Sequence, residues 1–502
     1  MTVAAAPHPV GVSATPRRFD KSRIRRALLV YPPSGLFDRT DRCQTPIAYA
    51  SAQGARPPMD IAYIAAGLIA EGIACQLVDY PAEQLGWSAF RRDLEVLRPN
   101  LLVLSITSFA FDLDMEACTI VKEMLPACLT VAKGAHFKLA PAECLELYPQ
   151  LDMVIWGESE LVLPEVFAAE RLADVAGIAA RDDTGAPFVT PERPALRDLD
   201  RLPLPARHLI NNELYRLPNT GEKMTTIIVG RGCPHECIFC LVPAVTGKKA
   251  VYRSPGSVVS EIRDCVERFG IRQFLLKADA FTINRKWVLA FCDAVAIAGL
   301  EVGFISNSRV DGLDEEVVTA LARAGWWMLA IGVESGNQDI LNHVKKGATV
   351  EQAETAVRLC RKHGIRTFAY FTIGFPADTR RTVLDTIHFA LRLDPDFCEF
   401  HPAFPFPGTV LHDMGEKLGL LHIGGNAGRG VMPRQFLRSQ ALDLRQINRL
   451  RIYGLMRFYL RPRFIWRTLR SVSGPAEVLR YLSAAAEKIW TTVRYTLSRQ
   501  GW

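Results

Sequence analysis

Short apolar runs alternate with amphipathic stretches through two separate parts of this 502-residue chain. In residues 26–170 the runs ALLVYPP, CQLVDYP and LLVLSITS are separated by helix-like segments such as MDIAYIAAGLIAEG. Strands that alternate with helices form parallel sheets with both faces covered. We therefore predict a doubly wound, Rossmann-like α/β domain here, with ligands at the carboxyl edge of its strands.

A second alternating series begins at Thr225. Its apolar runs are TTIIVGR, RQFLLKADAF, EVGFISNSR, WWMLAIGVES, RTFAYFTIGFP and FCEFHPAFPFPGT, and helical stretches separate them. Six such units predict a partial (β/α)6 barrel over residues 223–425. In barrels of this type the chemistry takes place at the carboxyl ends of the strands.

The remaining segments set the domain boundaries. Residues 1–25 lack the apolar stretch of a secretory signal, and we expect a disordered leader. Residues 171–222 are polar and proline-containing, as in RDLDRLPLPARHL, which predicts a linker. Residues 426–502 become purely helical in pattern and form a basic C-terminal region.

The positive charge of the chain is concentrated at its end. The net charge is +7, and residues 451–502 alone hold ten Lys or Arg against two Glu. The charge therefore does not indicate a nucleic-acid partner. Arginines interleave here with apolar residues such as Trp466 and Trp490, which fits a helical cap packed on the barrel. It also fits an amphipathic tail in peripheral contact with anionic lipid.

Cysteine usage and hydropathy bear on location. Twelve cysteines in 502 residues are too sparse for a disulfide-stapled secreted domain. No run of about 18 uncharged apolar residues occurs, so a membrane span is not expected. We predict a protein of the reducing cytoplasm, associated with the inner face of the membrane if its tail binds lipid.

Three thiols lie on one loop after the first barrel strand, in the sequence RGCPHECIFC. Cys233, Cys237 and Cys240 have the spacing C-x3-C-x2-C. Zinc sites usually combine two such hooks into a closed tetrahedron, and the second hook is missing nearby, although His235 lies inside the loop. A cubane iron–sulfur cluster with one open iron fits this set better.

The C-x3-C-x2-C loop, with an aromatic residue before its last Cys, resembles the radical S-adenosylmethionine (SAM) superfamily. The resemblance implies that Cys233, Cys237 and Cys240 hold a [4Fe-4S] cluster. SAM would bind its open iron, and a reductant such as flavodoxin or ferredoxin would supply the electron that cleaves SAM to a 5'-deoxyadenosyl radical. The strand-end residues that match positions facing SAM in relatives are Asp279, Asn307, Arg309, Glu334 and Gly374.

The first domain resembles the cobalamin-binding domain that precedes the barrel in a large radical SAM subclass. The resemblance rests on RPPMDIAYIAAGL, LVDYP, KGAH with APAECLELYP, and DMVIWGESE. It implies cobalamin at the carboxyl edge of the sheet, with contacts from Asp79, Ser105, Thr107, Gly134, His136, Gly157 and Glu158.

The first domain departs from two known patterns. Cobalamin domains that supply an axial imidazole use D-x-H-x-x-G, whereas Pro81 follows Asp79-Tyr80 here. We therefore expect water or no ligand beneath the cobalt, with His136 as the other nearby candidate. A dinucleotide is disfavoured, because Tyr31-Pro-Pro-Ser-Gly35 stands where G-x-G-x-x-G would follow the first strand.

The resemblance implies a cobalamin-dependent radical SAM enzyme, most simply a C-methyltransferase of an unactivated carbon. Radical cyclisation, oxidation or rearrangement with the same cofactors is the alternative, and a non-catalytic cobalamin or redox sensor is a more remote one. No general acid or base is assigned. Strand-end aromatic residues predict a large hydrophobic substrate: Trp326, Trp327, Tyr370, Phe371, Phe404 and Phe406.

Overall fold

The structure is a computed structural model that describes residues 21–40, 43–46, 55–108, 110–138, 140–182, 184–423 and 435–471. Most of the predicted leader and the end of the predicted C-terminal region, residues 472–502, lie outside the described residues. No helix in the described ranges is both long and apolar enough to cross a bilayer.

The first domain contains nine strands and five α-helices within the described residues. The strands are β1 Arg26–Tyr31, β2 Phe37–Thr40, β3 Cys43–Pro46, β4 Ala74–Asp79, β5 Leu101–Ser105, β6 Leu129–Lys133, β7 Met153–Ile155, β8 Ile178–Arg181 and β9 Pro187–Val189. The helices are α1 Met59–Ala70, α2 Trp87–Leu97, α3 Phe111–Met124, α4 Pro141–Leu147 and α5 Val162–Ala168.

Seven of these strands form one sheet in the order β4-β1-β5-β6-β7-β8-β9, and β2 pairs with β3 in a separate hairpin. The pairings from β4 to β7 are parallel. Alternate residues of β1 point into two different cores. Leu29 packs in the core that contains α1 and α5, and Leu28 packs in the core that contains α2, α3 and α4. Both faces are therefore covered, which confirms the doubly wound domain. The switch of strand order lies between β1 and β5, where such folds bind ligands.

The sheet continues beyond the domain boundary that the sequence predicts at residue 170. Strands β8 and β9 lie in the predicted linker, and both pair antiparallel. They are short, and the apolar run IAA of β8 is too brief to stand out by periodicity. The segment 171–222 is therefore partly an edge of the first sheet, and only the residues after Val189 connect the domains.

The second domain and the C-terminal part contain ten strands and ten α-helices within the described residues. The strands are β10 Met224–Ile228, β11 Gly230–Arg231, β12 Val251–Tyr252, β13 Gln273–Lys277, β14 Gly303–Arg309, β15 Trp326–Glu334, β16 Arg366–Ile373, β17 Phe397–Pro402, β18 Leu421–Ile423 and β19 Gln435–Leu437. The helices are α6 Val242–Val245, α7 Pro255–Phe269, α8 Arg285–Ala298, α9 Glu315–Arg323, α10 Gln338–His343, α11 Val350–Lys362, α12 Arg380–Leu393, α13 Val410–Lys417, α14 Leu444–Tyr459 and α15 Pro462–Ser471.

Strands β10, β13, β14, β15, β16 and β17 form a parallel six-stranded sheet in chain order. This confirms the partial (β/α)6 barrel. One large core lies between this sheet and its helices, and it includes Trp326 and Phe371, which are 3% and 0% exposed. These two aromatic side chains are therefore wall packing and are removed from the predicted substrate-facing set, because alternate strand residues point to opposite faces.

Helix α14 completes the barrel core. Its Ile447, Leu450 and Phe458 belong to the same buried cluster as the barrel strands. The backbone N–H of Cys398 donates to Tyr459 Oη at 3.2 Å, and Tyr459 Oη donates to Cys398 O at 2.7 Å. For α14, the interpretation of the C-terminal region as a helical cap is confirmed.

Candidate active site

The three cysteines lie on a loop that begins after β10 and β11, at the carboxyl end of the first barrel strand. Backbone hydrogen bonds hold this loop at both ends: Cys233 N donates to Gly247 O at 3.1 Å, and Ile238 N donates to Val344 O at 3.1 Å. Within the loop, Cys240 N donates to Cys237 O at 3.1 Å. The path of the loop is thus fixed by the turn after α6 and by the turn after α10.

Gly232 sets the entry to the loop. Its φ is +80°, and a Cβ at this position would lie 2.1 Å from Lys249 O. Its N–H donates to Asp279 Oδ2 at 2.8 Å, and Thr246 Oγ1 donates to the same oxygen at 2.6 Å. Asp279, predicted to face SAM, therefore fastens the cysteine loop through one carboxylate oxygen.

The chemistry of the three thiols fits an iron–sulfur cluster. Cys233 and Cys240 pack with Val242 and Ala280 in one small apolar cluster, and Cys237 lies on the same loop. Cysteine thiolates are the usual ligands of such clusters, so three of them on one loop fit a [4Fe-4S] cluster with one iron not bound by this loop.

Two cations lie beside Cys237. Arg309 Nη1 is 3.8 Å from Cys237 Sγ. Burial raises the pKa of the Cys237 thiol, while the charges of Lys346 and Arg309 oppose that rise. A metal-bound thiolate carries negative charge, so these two cations would stabilise it on the face toward β14.

Glu334 ends β15 in an unusual backbone conformation, with φ +67°. Its carboxylate accepts from Lys346 Nζ at 2.8 Å and from Thr372 Oγ1 at 3.0 Å. Arg309 ends β14, and its Nη2 donates to Lys346 O at 2.6 Å. The structure thus brings the predicted SAM residues Arg309 and Glu334 together with the cysteine loop, at the same barrel edge.

Asn307 and Gly374, also predicted to face SAM, lie in different surroundings from each other. Asn307 is half-buried on β14, two residues before Arg309 and so on the same face. Gly374 has φ +87°, and a Cβ there would meet Ile447 Cδ1 of α14 at 2.9 Å. Glycine is therefore required at position 374 because the backbone there packs closely against the C-terminal cap.

Asp60 centres a polar network at the switch point of the first sheet. It accepts from Tyr31 Oη at 2.7 Å, from Ser105 Oγ at 2.7 Å and from Lys133 Nζ at 2.8 Å. Burial alone would raise the pKa of Asp60, but Lys133 and the donated hydrogen bonds lower it to about 2. Ser105, predicted to contact cobalamin, is fully buried and supports this network.

A second buried ion pair lies beside the first network. Arg39, from the β2–β3 hairpin, donates to both carboxylate oxygens of Asp114 at 2.9 and 3.0 Å and to Ser105 O at 2.9 Å. Thr107 N donates to Asp114 Oδ2 at 2.7 Å, and the whole Thr107 residue is buried. Sequence reasoning missed Arg39, Asp60 and Asp114, because only the fold brings them together.

Asp79 also faces inward. It accepts from Tyr215 Oη at 2.9 Å and from Ala82 N at 3.1 Å. Burial raises the pKa of Asp79 to about 6, although these hydrogen bonds oppose the rise. Tyr215 lies just before β10, so Asp79 joins the first sheet to the start of the barrel.

His136 is the residue of this edge that fits a bound cobalamin best. Its ring stacks on Phe111 with centroids 4.2 Å apart, and its Nδ1 is 3.2 Å from Ser108 Oγ. Its Nε2 is buried without a hydrogen-bond partner in the described structure. Burial lowers the pKa of His136 to about 4, so the ring is neutral at pH 7. An orphaned polar atom of this kind is costly unless a ligand satisfies it.

Glycines open the backbone at the same edge. A Cβ on Gly134 would lie 2.8 Å from Ile106 Cγ1, so glycine is required by close packing between two neighbouring loops. Gly157 has φ +73° with open space around it, which leaves its backbone accessible to a ligand.

The loop after β7 contacts β11, the short strand that leads into the cysteine loop. Arg231, two residues before Cys233, pairs with Glu160, and its Nη1 is 3.4 Å from Glu158 Oε1. All three side chains are no more than 11% exposed. Glu158 also accepts from Leu196 N at 2.5 Å. Glu158, predicted to contact cobalamin, is therefore engaged in this ion-pair cluster.

A second contact links the same two edges. Lys138, which follows β6, hydrogen-bonds to Ala244 O in α6, the short helix after the cysteine loop. The carboxyl edge of the doubly wound sheet thus faces the carboxyl end of the barrel. Ligands held at the two edges would meet in the space between them.

Comparison with known proteins agrees with this architecture. The radical SAM superfamily pattern matches residues 227–390, and the B12 binding domain pattern matches residues 46–167. An uncharacterized methyltransferase of Pyrococcus horikoshii is 28% identical over 82% of this chain and 89% of its own length. The anaerobic magnesium-protoporphyrin IX monomethyl ester cyclase of Rubrivivax gelatinosus is 28% identical over 74% of this chain and 68% of its own.

Among solved structures, the radical SAM methyltransferase TsrM of Kitasatospora setae, with cobalamin and a [4Fe-4S] cluster bound, has a TM-score of 0.69. The alignment covers 86% of this chain and 91% of TsrM at 18% identity, which shows a shared fold.

The partial barrel with its three-cysteine loop therefore defines a radical SAM enzyme. The chain thus combines a barrel domain that matches the radical SAM superfamily with a preceding doubly wound domain that matches the B12 binding domain family.

Proposed function

We propose that this protein is a cobalamin-dependent radical SAM methyltransferase that methylates an unactivated carbon of a hydrophobic metabolite. The observation that carries the proposal is the contact of Arg231 with Glu158 and Glu160, which joins the cysteine loop to the cobalamin edge. A substrate between the two edges could react with both cofactors. The relative from Pyrococcus horikoshii, which aligns over most of both chains, supports methyl transfer.

Different residues of the chain would bind the three cofactors. Cys233, Cys237 and Cys240 would hold the [4Fe-4S] cluster, and Arg309 and Glu334 would bind the amino-acid end of SAM. The Nε2 atom of His136 would make its polar contact with bound cobalamin. When bound, these groups supply a carbon radical and a transferable methyl group, and the protein holds them around one substrate and excludes water.

The size of the substrate is supported by aromatic residues near the last barrel strands. Tyr370 contacts the ring of His401, with centroids 5.8 Å apart, and Phe404 and Phe406 lie 4.6 Å apart after β17. Trp327 is excluded from this set, because it is the second residue of β15 and its indole N–H donates to Gln273 Oε1, at the start of β13, at 3.0 Å, which places it at the amino end of the strands. Aromatic rings beside a histidine suit an apolar substrate that carries at least one polar group.

Two measurements test the proposal. Anaerobic reconstitution with iron, sulfide and hydroxocobalamin should give about four irons and one cobalt per chain. The triple variant Cys233→Ala, Cys237→Ala, Cys240→Ala should lose the iron and keep the cobalt. With candidate substrates and SAM, a product heavier by one methylene indicates methylation. Iron without cobalt would contradict the assignment of the first domain.

The second candidate function is cobalamin-dependent cyclisation or oxidation without methyl transfer. It is favoured by the similarity to the Rubrivivax cyclase. A product that loses hydrogens or gains oxygen, and no methylene, would select it. A cobalamin or redox sensor, the third possibility, would make no 5'-deoxyadenosine from SAM and reductant.

We also propose that the electron donor docks beside the cysteine loop. A depression there is lined by Pro234, His235, Glu236, Asn342, Lys345 and Gly347. It borders the segment between Cys233 and Cys237 on one side and the turn after α10 on the other. Electron transfer requires a short path, so reduced flavodoxin or ferredoxin would approach at this place.

Membrane contact from the cytoplasmic side is a separate part of the proposal. Residues 444–471 contain arginines but no Asp or Glu. Helices α14 and α15 expose Tyr453, Met456, Ile465 and Trp466, and Leu460 between the two helices is also exposed. An apolar patch among arginines suits an anionic bilayer surface. Equal flotation of full-length protein with anionic and with zwitterionic vesicles would contradict this.

A further inference from the structure

The turn that follows α10 contacts three parts of the candidate site at once. Val344 O accepts from Ile238 N of the cysteine loop at 3.1 Å. Lys346 O accepts from Arg309 Nη2 at 2.6 Å, and Lys346 Nζ donates to Glu334 Oε1 at 2.8 Å. Val344 thus contacts the cysteine loop, and the main chain and the side chain of Lys346 connect β14 with β15.

The pair of Lys346 and Glu334 is buried. The side chains of Lys346 and Glu334 are 6% and 12% exposed. Breaking such a pair leaves an uncompensated buried charge, which is strongly unfavourable. Glu334 also has φ +67°, and a non-glycine residue keeps such a conformation only where the surroundings hold it. Lys346, with Thr372 on the other carboxylate oxygen, is what holds it here.

We propose that Lys346 is the positioning residue of the SAM site. It fixes the carboxylate of Glu334 before SAM arrives, and it sets the distance from that carboxylate to Arg309 and to the cysteine loop. Preorganisation of this kind lowers the cost of ordering a site on binding. The inference rests on the proposed function, because it assumes that Glu334 binds SAM. No sequence motif marks Lys346.

The test uses the full-length, anaerobically reconstituted protein and SAM as the probe. We expect Lys346→Met to keep its iron and to raise the Kd for SAM by at least about tenfold, as expected for truncation of one partner of a buried charge pair. The shift that SAM causes in the EPR spectrum of the reduced cluster should then require correspondingly more SAM. The matched control is Lys362→Met, which removes an exposed lysine paired with Glu315. It should bind SAM like wild type.

A double-mutant cycle separates positioning from general structural loss. If Lys346 acts through Glu334, Lys346→Met adds little to the loss of affinity caused by Glu334→Gln. Lys346→Arg, which keeps the charge, should recover part of the affinity. If Lys346→Met does not load iron, the test rests on the iron-loaded Lys346→Arg protein. An affinity for SAM no higher than that of Glu334→Gln would then overturn the inference.

Three further results would overturn the inference. Wild-type affinity in iron-loaded Lys346→Met shows that the lysine does not position the site. Full additivity with Glu334→Gln shows that it does not act through Glu334. A wild-type protein that holds iron but does not bind SAM contradicts the proposed function itself, and the inference with it.

Discussion

Replacement of Gly232 by alanine tests whether the geometry of the cysteine loop is set before any cluster binds. Gly232 has φ +80°, and the added methyl carbon would lie 2.1 Å from Lys249 O and 2.8 Å from Lys249 C. Real Cβ atoms keep more than 3.0 Å from such neighbours. Either the loop or the segment carrying Lys249 must therefore move by about 1 Å, an estimate that follows from close packing.

The cost can be estimated from the contacts that this movement breaks. A left-handed alanine costs roughly 1–2 kcal/mol. Two hydrogen bonds are lost, from Gly232 N to Asp279 and from Cys233 N to Gly247 O, each worth about 1 kcal/mol. The native loop conformation is then disfavoured by about 3 kcal/mol, or roughly a hundredfold, with 1.4 kcal/mol per tenfold change.

The assay is iron content and charge-transfer absorbance after anaerobic reconstitution, with the midpoint of iron loading measured against iron and sulfide concentration. We expect Gly232→Ala to retain little cluster under conditions that saturate wild type. Gly256→Ala is the matched control, because a Cβ there meets nothing within 4 Å. Full iron loading of Gly232→Ala would refute the view that the loop is preformed.

Three other predictions concern buried polar side chains. Arg207→Met removes one partner of the ion pair between Arg207 and Glu261, whose two side chains are 2% and 1% exposed. It should lower the free energy of unfolding, measured in urea, by about 3 kcal/mol. The control Arg171→Met removes an exposed arginine and should cost less than about 1 kcal/mol, and equal losses in the two variants would contradict the prediction. Burial raises the pKa of Asp79 from 3.8 to about 6. The folded state then binds more protons between these values, so stability should fall as pH rises from 4 to 6, by up to about 3 kcal/mol. Asp79→Asn should flatten this dependence of Tm on pH, and a parallel curve would disprove the assignment. His136→Phe keeps a stacking ring but lacks Nε2, and should weaken hydroxocobalamin binding about tenfold in absorbance titrations; unchanged affinity would count against a cobalamin contact.

Local patterns were sufficient to predict the main architecture. The alternation of apolar runs with amphipathic segments predicts a parallel sheet, because each strand must be covered on both faces. It therefore identified the doubly wound domain and the six barrel strands. The spacing of Cys233, Cys237 and Cys240 predicts a metal cluster for a similarly local reason, since ligands on one short loop need no distant partner.

Short elements were harder to predict. Strands β8 and β9 contain only four and three residues. Such segments carry no readable period, and the antiparallel pairing of β8 with β7 and of β9 with β8 stabilises them. The predicted linker could therefore be identified as an edge of the sheet only from the structure.

The roles of individual polar residues depended on distant parts of the chain. Asp279 and Glu158 lie at the strand ends where ligands were predicted, yet Asp279 bonds to the cysteine loop and Glu158 pairs with Arg231. Lys346 is twelve residues from Glu334 in sequence and has no motif around it.

The sequence by itself determined the order of strands and helices and the three thiols of one metal-binding loop, because these follow from hydrophobic periodicity and from local spacing. The class of enzyme was implied by the resemblance of that loop and of the first domain to known families. Only the tertiary structure decided which charges are neutralised inside the protein and which remain for a ligand. Burial and partners outside the local sequence control that distinction, as for Arg231 with Glu160, which are 71 residues apart.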